Sequence, residues 1–508
     1  MSDKIDSNVT GASYAEEETP KVLPAAPVWH ELEPNSYSDF GGDIKTVARD
    51  PINQSRQRKK GSAVDLDATG GLTQDFTLTN HQRLLRGFFF ADYTSKFGSH
   101  EIGADENPVT AVAAGDDSFE FTTAVTLPAG ALLWATGFGN AANNGLHKVS
   151  AAIAGDTTVT TTSALMDEGA PPAGARVVLV GHEFAAGDVA LTASPGQFTL
   201  TSTAVADLAA LTALRVGAWV FVGDGAGNSF AQKGYARVRD IDGAAVTFDK
   251  ATVQFAANAG AGIALRLFYG RFIRNEDDPD LIKAFTVQIE RTLGRDDDGV
   301  QSQYLEGAYA NAFKLNIPTA DKLTADISYV AMDDAQRTGA QGLKGGTRVK
   351  AAGEGAVNTS SDVYRIRMHV VDETSLNPTA LFGYITEGNI TIANNVSPAK
   401  AVGVFGAFAM TVGTFEVGGS VTAYFSTVEA VRAIRNSADV SIDFIVAKDN
   451  GGFIFDIPLL ALGGGRLNIA KDQPVTLPLE MAAAENPNGY TLSGTFFPYL
   501  PDAAMPVQ

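Results

Sequence analysis

Six histidines, at positions 30, 81, 100, 147, 182 and 369, are the side chains best suited to metal binding or proton transfer in this chain. They form no HExxH, no i and i+4 pair and no facial set, so their spacing offers no metal site. His100 and His182 each precede a glutamate, Glu101 and Glu183, at matching places of a repeat. That pattern predicts a structural His/Glu hydrogen bond at the start of each copy. Asp296-Asp297-Asp298-Gly299 opens like a calcium loop, but Gly307 stands where the bidentate glutamate belongs, and the stretch reads as a turn. Gly223-Asp224-Gly225-Ala226-Gly227-Asn228 lacks the last glycine of a dinucleotide fingerprint and leads into a strand, which removes the phosphate-binding logic. No nucleophile elbow, phosphate loop or kinase set is present. With 58 Asp and Glu, carboxylate pairs are too common to single out an acid and base. The sequence predicts no catalytic residue, no metal ligand, no cofactor and no enzyme.

Composition narrows the classes further. The net charge of −20 argues against tight nucleic-acid binding, which needs clustered Lys and Arg. The same field, with its sign reversed, lets DNA pass a carboxylate-lined surface without sticking. The absence of cysteine excludes disulfides, thiolate metal sites and cysteine nucleophiles. The first twenty residues carry no apolar h-region and no window approaches 18 apolar residues, so neither a conventional secretion signal nor a membrane span is expected. Arg56, Arg58, Lys59 and Lys60 form one basic cluster. It reads as a solvated turn or as a contact with an acidic neighbouring subunit.

The elements that would position these residues are mostly strands. The 52 glycines, with abundant Ala, Thr and Val, favour strands joined by tight turns. Alternation marks Phe285 to Glu290, Leu323 to Tyr329, Asn389 to Ala393 and Ser420 to Phe425. Val428, Val431 and Ile434 recur three apart and predict one short helix, followed by a strand at Val440, Ile442 and Phe444. A second strand, helix, strand sequence is read from Leu72 to Phe90, with Asn80 as cap, His81, Leu84 and Leu85 in the helix, and Phe88 to Phe90 as strand. The texts from Phe285 to Tyr329 and from Ile390 to Phe425 follow the same order.

Between the helix at Leu84 and Phe285 lie two copies of a smaller β unit, offset by close to 80 residues: Val109 to Val180 and Leu191 to Tyr269. The expected organisation is an N-terminal arm (1–28), mobile or ordered only against a neighbour, and the first part of one module (29–99). Two inserted β domains follow (100–181 and 182–272), then the rest of that module (273–334), a long Gly-rich loop (335–362) and a second module (363–508). The fold class is mainly β, a duplicated β-sandwich or barrel module with a flanking short helix in each copy, plus two inserted small β domains. Such a chain has exposed strand edges, and closing them in a ring removes that liability.

Three stretches carry a resemblance: Arg49 to Gly61 (RDPINQSRQRKKG) running into Val64 to Gly71, the GNITIANNVSPAKAVGVFGAF segment from Gly388, and the VGTFEVGGSVTAYFS segment from Val412. They resemble the tail tube proteins of long-tailed, siphovirus-like bacteriophages, over most of the chain outside 100–272. The resemblance implies a structural virion protein, made in the cytoplasm of the bacterial host, whose strands join those of neighbours into a β-barrel around a lumen. Rings stack into a tube that conducts DNA from capsid to host during ejection. One module per chain makes a hexameric ring, so two modules imply a trimeric, pseudo-hexameric one. The implied partners are other copies of the chain, a tape-measure protein, terminator and tip proteins, and DNA in transit without specific binding; no membrane is involved. Candidate lumen-lining residues are Thr286, Gln288, Glu290, Thr324, Asp326, Ser328, Thr391 and Thr422, and Arg56, Arg58, Lys59 and Lys60 are candidate inter-subunit contacts. The inserted domains are expected to face outward, because an inward insertion would block the channel. Two other classes stay open: a repeated-β-domain adhesin that binds cell-surface carbohydrate, and a polysaccharide-cleaving enzyme with an acidic pair on a β scaffold.

Overall fold

A computed structural model describes the chain except residues 1–8, 53, 55–56, 58, 95–106, 209–210, 212–213, 225–229, 231, 259–263, 297–298 and 507–508. The protein is mainly β, with 53% strand and two α-helices among the described residues. The chain divides into two compact units: residues 1–91, 280–359 and 387–420, and residues 92–279, 360–386 and 421–508.

The first unit is built around the Gly299–Ile317 strand, which is long enough to pair with different neighbours along its two halves. Its N-terminal half lies between Thr286–Asp296 and Asp333–Arg337; its C-terminal half lies between Thr324–Ala331 and the Ile385–Ala393 strand. Thr324–Ala331 in turn pairs with Ser62–Asp75, and that strand pairs with Pro34–Val47. In this C-terminal half the alternation is clean: Ala325, Ile327, Tyr329, Phe313, Leu315, Ile390 and Ile392 are buried, and the residues between them are not. Helix α1 (Gln82–Phe89) buries Leu84, Leu85, Phe88 and Phe89. Phe88 meets Phe313 and Tyr329, with ring centroids 5.5 and 5.7 Å apart. Phe88 and Phe89 thus belong to the helix and not to a strand, because positions 84, 85, 88 and 89 share one helical face. Asn80 does not cap this helix; its side chain instead bonds both backbone polar groups of Ala352.

The described part of the N-terminal stretch pairs inside its own protomer. Gly11–Glu16 pairs with Thr286–Asp296 and with Val28–Leu32, burying Ala12, Tyr14 and Ala15, while Glu16 meets Arg83 and Arg86 of α1. The mobile arm expected there is corrected on that ground: a short Ala/Tyr alternation with a paired carboxylate finds its partner within the chain. The Gly-rich stretch after Ala335 also runs as structure. Asp333–Arg337 is a strand, and Thr347–Val349 pairs in parallel with Val28–Leu32.

In the second unit the two inserted repeats do not form separate bodies. The Arg176–Phe184 strand, which closes the first copy, pairs on one side with Ala131–Thr136 and on the other with Leu265–Phe268, the strand that closes the second. Both copies share one core, in which Phe119, Val159 and Leu179 meet Phe198, Val246 and Phe248. The opposite face of that sheet, with Trp219, Phe221, Tyr235 and Phe268, packs on Ile445, Ile454, Phe497 and Leu500. Ile445, Ile454 and Phe497 belong to the antiparallel hairpin Val440–Lys448 and Gly451–Gly464 and to the Ser493–Phe497 strand beside it, and Leu500 follows that strand. Helix α2 (Glu429–Arg435) turns Ala430 and Ala433 inward, and Val428 is exposed. The apolar line at Val428, Val431 and Ile434 is therefore not its buried face.

Element order offers a different alignment of the expected repeat. A strand, a short helix and a later antiparallel strand pair occur as Ser62–Asp75, α1 and Thr286–Asp296 with Gly299–Ile317, and again as Glu416–Tyr424, α2 and Val440–Lys448 with Gly451–Gly464. In the two-residue turn between Lys448 and Gly451, Asp449 and Asn450 both have positive φ, as in a type I′ hairpin loop. This order sets Thr286–Asp296 against Val440–Lys448, and not against the Asn389 to Ala393 stretch.

Candidate assembly and channel surfaces

The open face of the first unit's sheet is polar. Cross-strand register lines up Thr73, Asp326, Lys314 and Thr391 in one row, and Asp75, Thr324, Asn316 and Asn389 in the next. Side chains bond across the strands: Thr73 Oγ1 donates to Asp326 at 2.6 Å, Asn316 Nδ2 to Asp326 at 2.8 Å, and Asn389 Nδ2 to Ser420 Oγ at 2.8 Å. Such pairs hold a polar surface in register while the apolar side chains of the same strands face α1. Thr324, Asp326, Ser328 and Thr391 are all on this face and half-buried. Thr422 is half-buried in the second unit, where its carbonyl accepts from Thr386.

Thr286, Gln288 and Glu290 are placed differently. Alternation correctly sets them on one side of their strand, but that side is covered by the 342–348 segment, and all three are buried. Lys344 Nζ donates to Gln288 Oε1 at 2.6 Å and to Glu306 at 2.5 Å. Arg348 holds Glu290 with two bonds, of 2.7 and 2.8 Å, and Tyr304 donates its hydroxyl proton to the same carboxylate. Burial first, and the Glu290 carboxylate second, push the Tyr304 phenol up to about 12. Gln288 and Glu290 thus belong to an internal network, and Thr286 is buried beside them on the same strand.

Two projecting segments flank the polar face. The hairpin Pro34–Val47/Ser62–Asp75 loses its inner sheet partner beyond Ala68, since Thr324–Ala331 pairs only with residues 68–75. Past that point Ile44, Val47, Val64 and, in the loop, Ile52 are exposed. A second excursion, residues 394–415, carries the small hairpin Ser397–Ala399/Ala409–Thr411 and exposes Val402, Phe405 and Phe408. Lys400 ties the two together through Asp65, at 2.6 Å, and Asp67, which Lys45 also contacts. Lys400 holds both carboxyls below their ordinary range. Lys59 and Lys60 are exposed at the hairpin loop, while Arg56 and Arg58 lie outside the described residues.

At the other end of that hairpin is an acidic pocket of about 260 Å³, lined by Glu31, Glu33, Asp75, Glu354, Thr77 and His81. Asp75 already holds Lys322, at 2.6 Å, and Glu354 accepts the backbone N–H groups of Leu78 and Thr79, leaving Glu31 and Glu33 exposed at the rim. His81 Nδ1 accepts from the Thr77 N–H, and burial pushes the imidazole down to about 3.

The expected His182–Glu183 bond is absent. Neighbouring strand residues point to opposite faces, so Glu183 takes Lys148 and Arg266, each at 2.9 Å, while His182 is buried and lowered to about 4. Its expected counterpart, His100 with Glu101, lies outside the described residues, as do Asp297, Asp298 and residues 225–228. Among the described residues no group of three His, Cys, Asp or Glu is placed to hold a metal ion, and no helix is long and apolar enough to cross a membrane.

The described residues thus combine one polar sheet face with two apolar projections in a mainly β protein. The chain belongs to the phage tail tube protein family, whose family model matches residues 7–483. It is thus a structural component of the bacteriophage virion, located in the tail. A comparison with individually curated proteins finds no match.

Proposed function

We propose that three copies of this chain form a pseudo-hexameric ring, and that rings stack into a tube whose channel carries DNA out of the capsid without enzymatic action. The observation that carries this reading is the polar sheet face at Thr73, Lys314, Asp326 and Thr391, backed by an apolar face sealed under α1. A sheet with one solvated polar face suits a barrel wall whose interior is wet. Thr324, Asp326, Ser328 and Thr391 are the lumen-lining set of the first unit, Thr422 is the candidate of the second, and the buried trio at 286, 288 and 290 is left out. The exposed residues of the two projections supply the contacts between copies, and a subunit of charge −20 needs its cationic loop for that purpose. The tape-measure, terminator and tip proteins are the partners at the tube's core and ends, and synthesis takes place in the host cytoplasm.

The test uses the absence of cysteine. Ser328→Cys and Thr391→Cys variants are labelled with maleimide-gold and imaged by electron microscopy after assembly at high concentration. Gold inside the central hole is expected, with three copies per ring by mass photometry. Label on the outer surface sinks the lumen assignment, and particles without a pore sink the tube reading.

A further inference from the structure

The long strands Gly299–Ile317 and Gly451–Gly464 take their partners in the same order. Each pairs first with the strand before it in the chain, Thr286–Asp296 or Val440–Lys448, and both pairings carry a bulge at the same place. Gln288 stands against two residues, Glu306 and Gly307, and Ser441 stands against two, Pro458 and Leu459. The other sides agree as well. Residues 302–306 lie beside Asp333–Arg337 and residues 452–456 beside Ser493–Phe497; past the bulge Thr324–Ala331 and Thr476–Ala483 take over. The shared bulge aligns Ala308 with Leu460.

The match ends on one edge. Residues 312–317 pair, on the side of Thr286–Asp296, with residues 388–393, and Phe313, Leu315 and Ile317 are buried there. The equivalent run starts near Gly463, and Gly465 and Asn468 keep it beside Thr476–Ala483. On its other side this run has no strand partner among the described residues, and Leu467 and Ile469 are 38 and 72% exposed. Arg466 is exposed between them and the glycines.

The strand that fills this side in the first unit has a counterpart. Ile385–Ala393 is paired with Glu416–Tyr424, which leads into α2, and Pro34–Val47 is paired with Ser62–Asp75, which leads into α1. Ile385–Ala393 gives its outer edge to Gly299–Ile317, whereas Pro34–Val47 has no strand partner beyond Ser62–Asp75 among the described residues. Asn35, Ser36, Ser38, Asp39 and Asp43 are exposed along it. Each chain thus carries one open receiving side, with a cation on it, and one open edge of the kind that fills such a side, with two carboxylates on it. Unpaired N–H and C=O groups make each a template for the other. We propose that the outer edge of Pro34–Val47 in one copy pairs antiparallel with the open side of residues 461–468 in the next copy. The inference deepens the ring reading and rests on it, assigning the contact between neighbours to two named edges. Such a contact joins different surfaces head to tail and ends in a closed ring where rotation permits.

Hydrogen exchange read by mass spectrometry on the full-length protein, as protomer and as assembled ring, tests it. Amides of residues 462–468 and 34–47 are expected to exchange at least tenfold more slowly in the ring. Those of residues 388–393, already paired in the protomer, are expected to stay within twofold. The absence of cysteine allows a second readout. Chains carrying Arg466→Cys together with Ser36→Cys, Ser38→Cys or Asp43→Cys are oxidised in the ring. At least one pair is expected to give a ladder that stops at the closed covalent ring, while Arg466→Cys alone stays uncrosslinked. Rings in which either segment keeps its protomer exchange rate, or in which none of the three pairs cross-links, overturn the assignment and leave the ring reading standing. Protein that forms no ring by mass photometry overturns both.

Discussion

Lys250 is the side chain on which most of the second unit's ionic order converges. It is 3% exposed and touches two carboxylates that are fully buried, and the Lys250 and Arg365 cations hold the Asp443 carboxyl well below the usual range against the opposing effect of burial. Lys250→Met keeps the length of the chain but leaves Asp456 on Arg237 alone and Asp443 on Arg365 alone. A loss of about 3–5 kcal/mol in urea unfolding is expected, as for other buried pairs broken on one side. Replacing Asp456 by Asn in the same variant should recover part of it. The histidines act through a different charge. Burial lowers His30 to about 4, His81 to about 3, His182 to about 4 and His369 to about 2, the last with help from Lys250. In the unfolded chain each titrates near its ordinary value, so below about pH 6.5 the unfolded state binds more protons and stability falls as pH falls. Between pH 6.5 and the native value each fully buried histidine removes up to about 1.4 kcal/mol per pH unit. His81→Gln is expected to flatten the fall by up to that amount in urea titrations at pH 7, 6 and 5; an unchanged slope refutes the buried, neutral assignment.

At the scale of elements, alternation located polar rows but not what lies over them. Thr324, Asp326, Ser328 and Thr391 lie on the polar, half-buried side of their strands, as their alternation indicates. Thr286, Gln288 and Glu290 show the same alternation, yet their polar side meets Lys344 and Arg348 from a Gly-rich stretch that has no apolar period to announce it. The fused inserted repeats escaped for a related reason: a sequence offset points to two copies, whereas the edge pairing of Arg176–Phe184 with Leu265–Phe268 depends on contacts 81 and more residues apart. That fusion also changes the deletion one would make. Removing 100–272 would strip the cover from Ile445, Ile454 and Phe497, so loss of assembly in that variant would report misfolding. Point changes on the projections are cleaner. Phe405 and Phe408 are about half exposed, so Phe405→Glu with Phe408→Glu should leave the melting temperature within a few degrees and abolish rings in sedimentation velocity. Rings that persist in the double variant place the contacts elsewhere.

For the assembled molecule the informative fact is that one hairpin carries opposite charge at its two ends. Its loop bears Lys59 and Lys60, and its base lies beside the Glu31 and Glu33 pocket. A surface that fits a different surface on the next copy makes a heterologous contact, which propagates as a filament unless rotation closes it. The hairpin has 14 residues in each strand, which spans about 45 Å at ~3.3 Å per residue. If the loop of one copy docks at the base of the next, the axial repeat equals that length projected on the tube axis, about 35–45 Å for strand tilts up to ~40°. Cryo-electron microscopy of the tube measures the repeat directly, and a value well outside that window excludes this pairing. Charge reversal separates the contact from simple surface repulsion. Lys59→Glu with Lys60→Glu is expected to leave rings but stop their stacking, and so is Glu31→Lys with Glu33→Lys. Combining all four restores the opposite signs and should restore tubes, whereas four changes that merely perturb two unrelated surfaces would compound the defect.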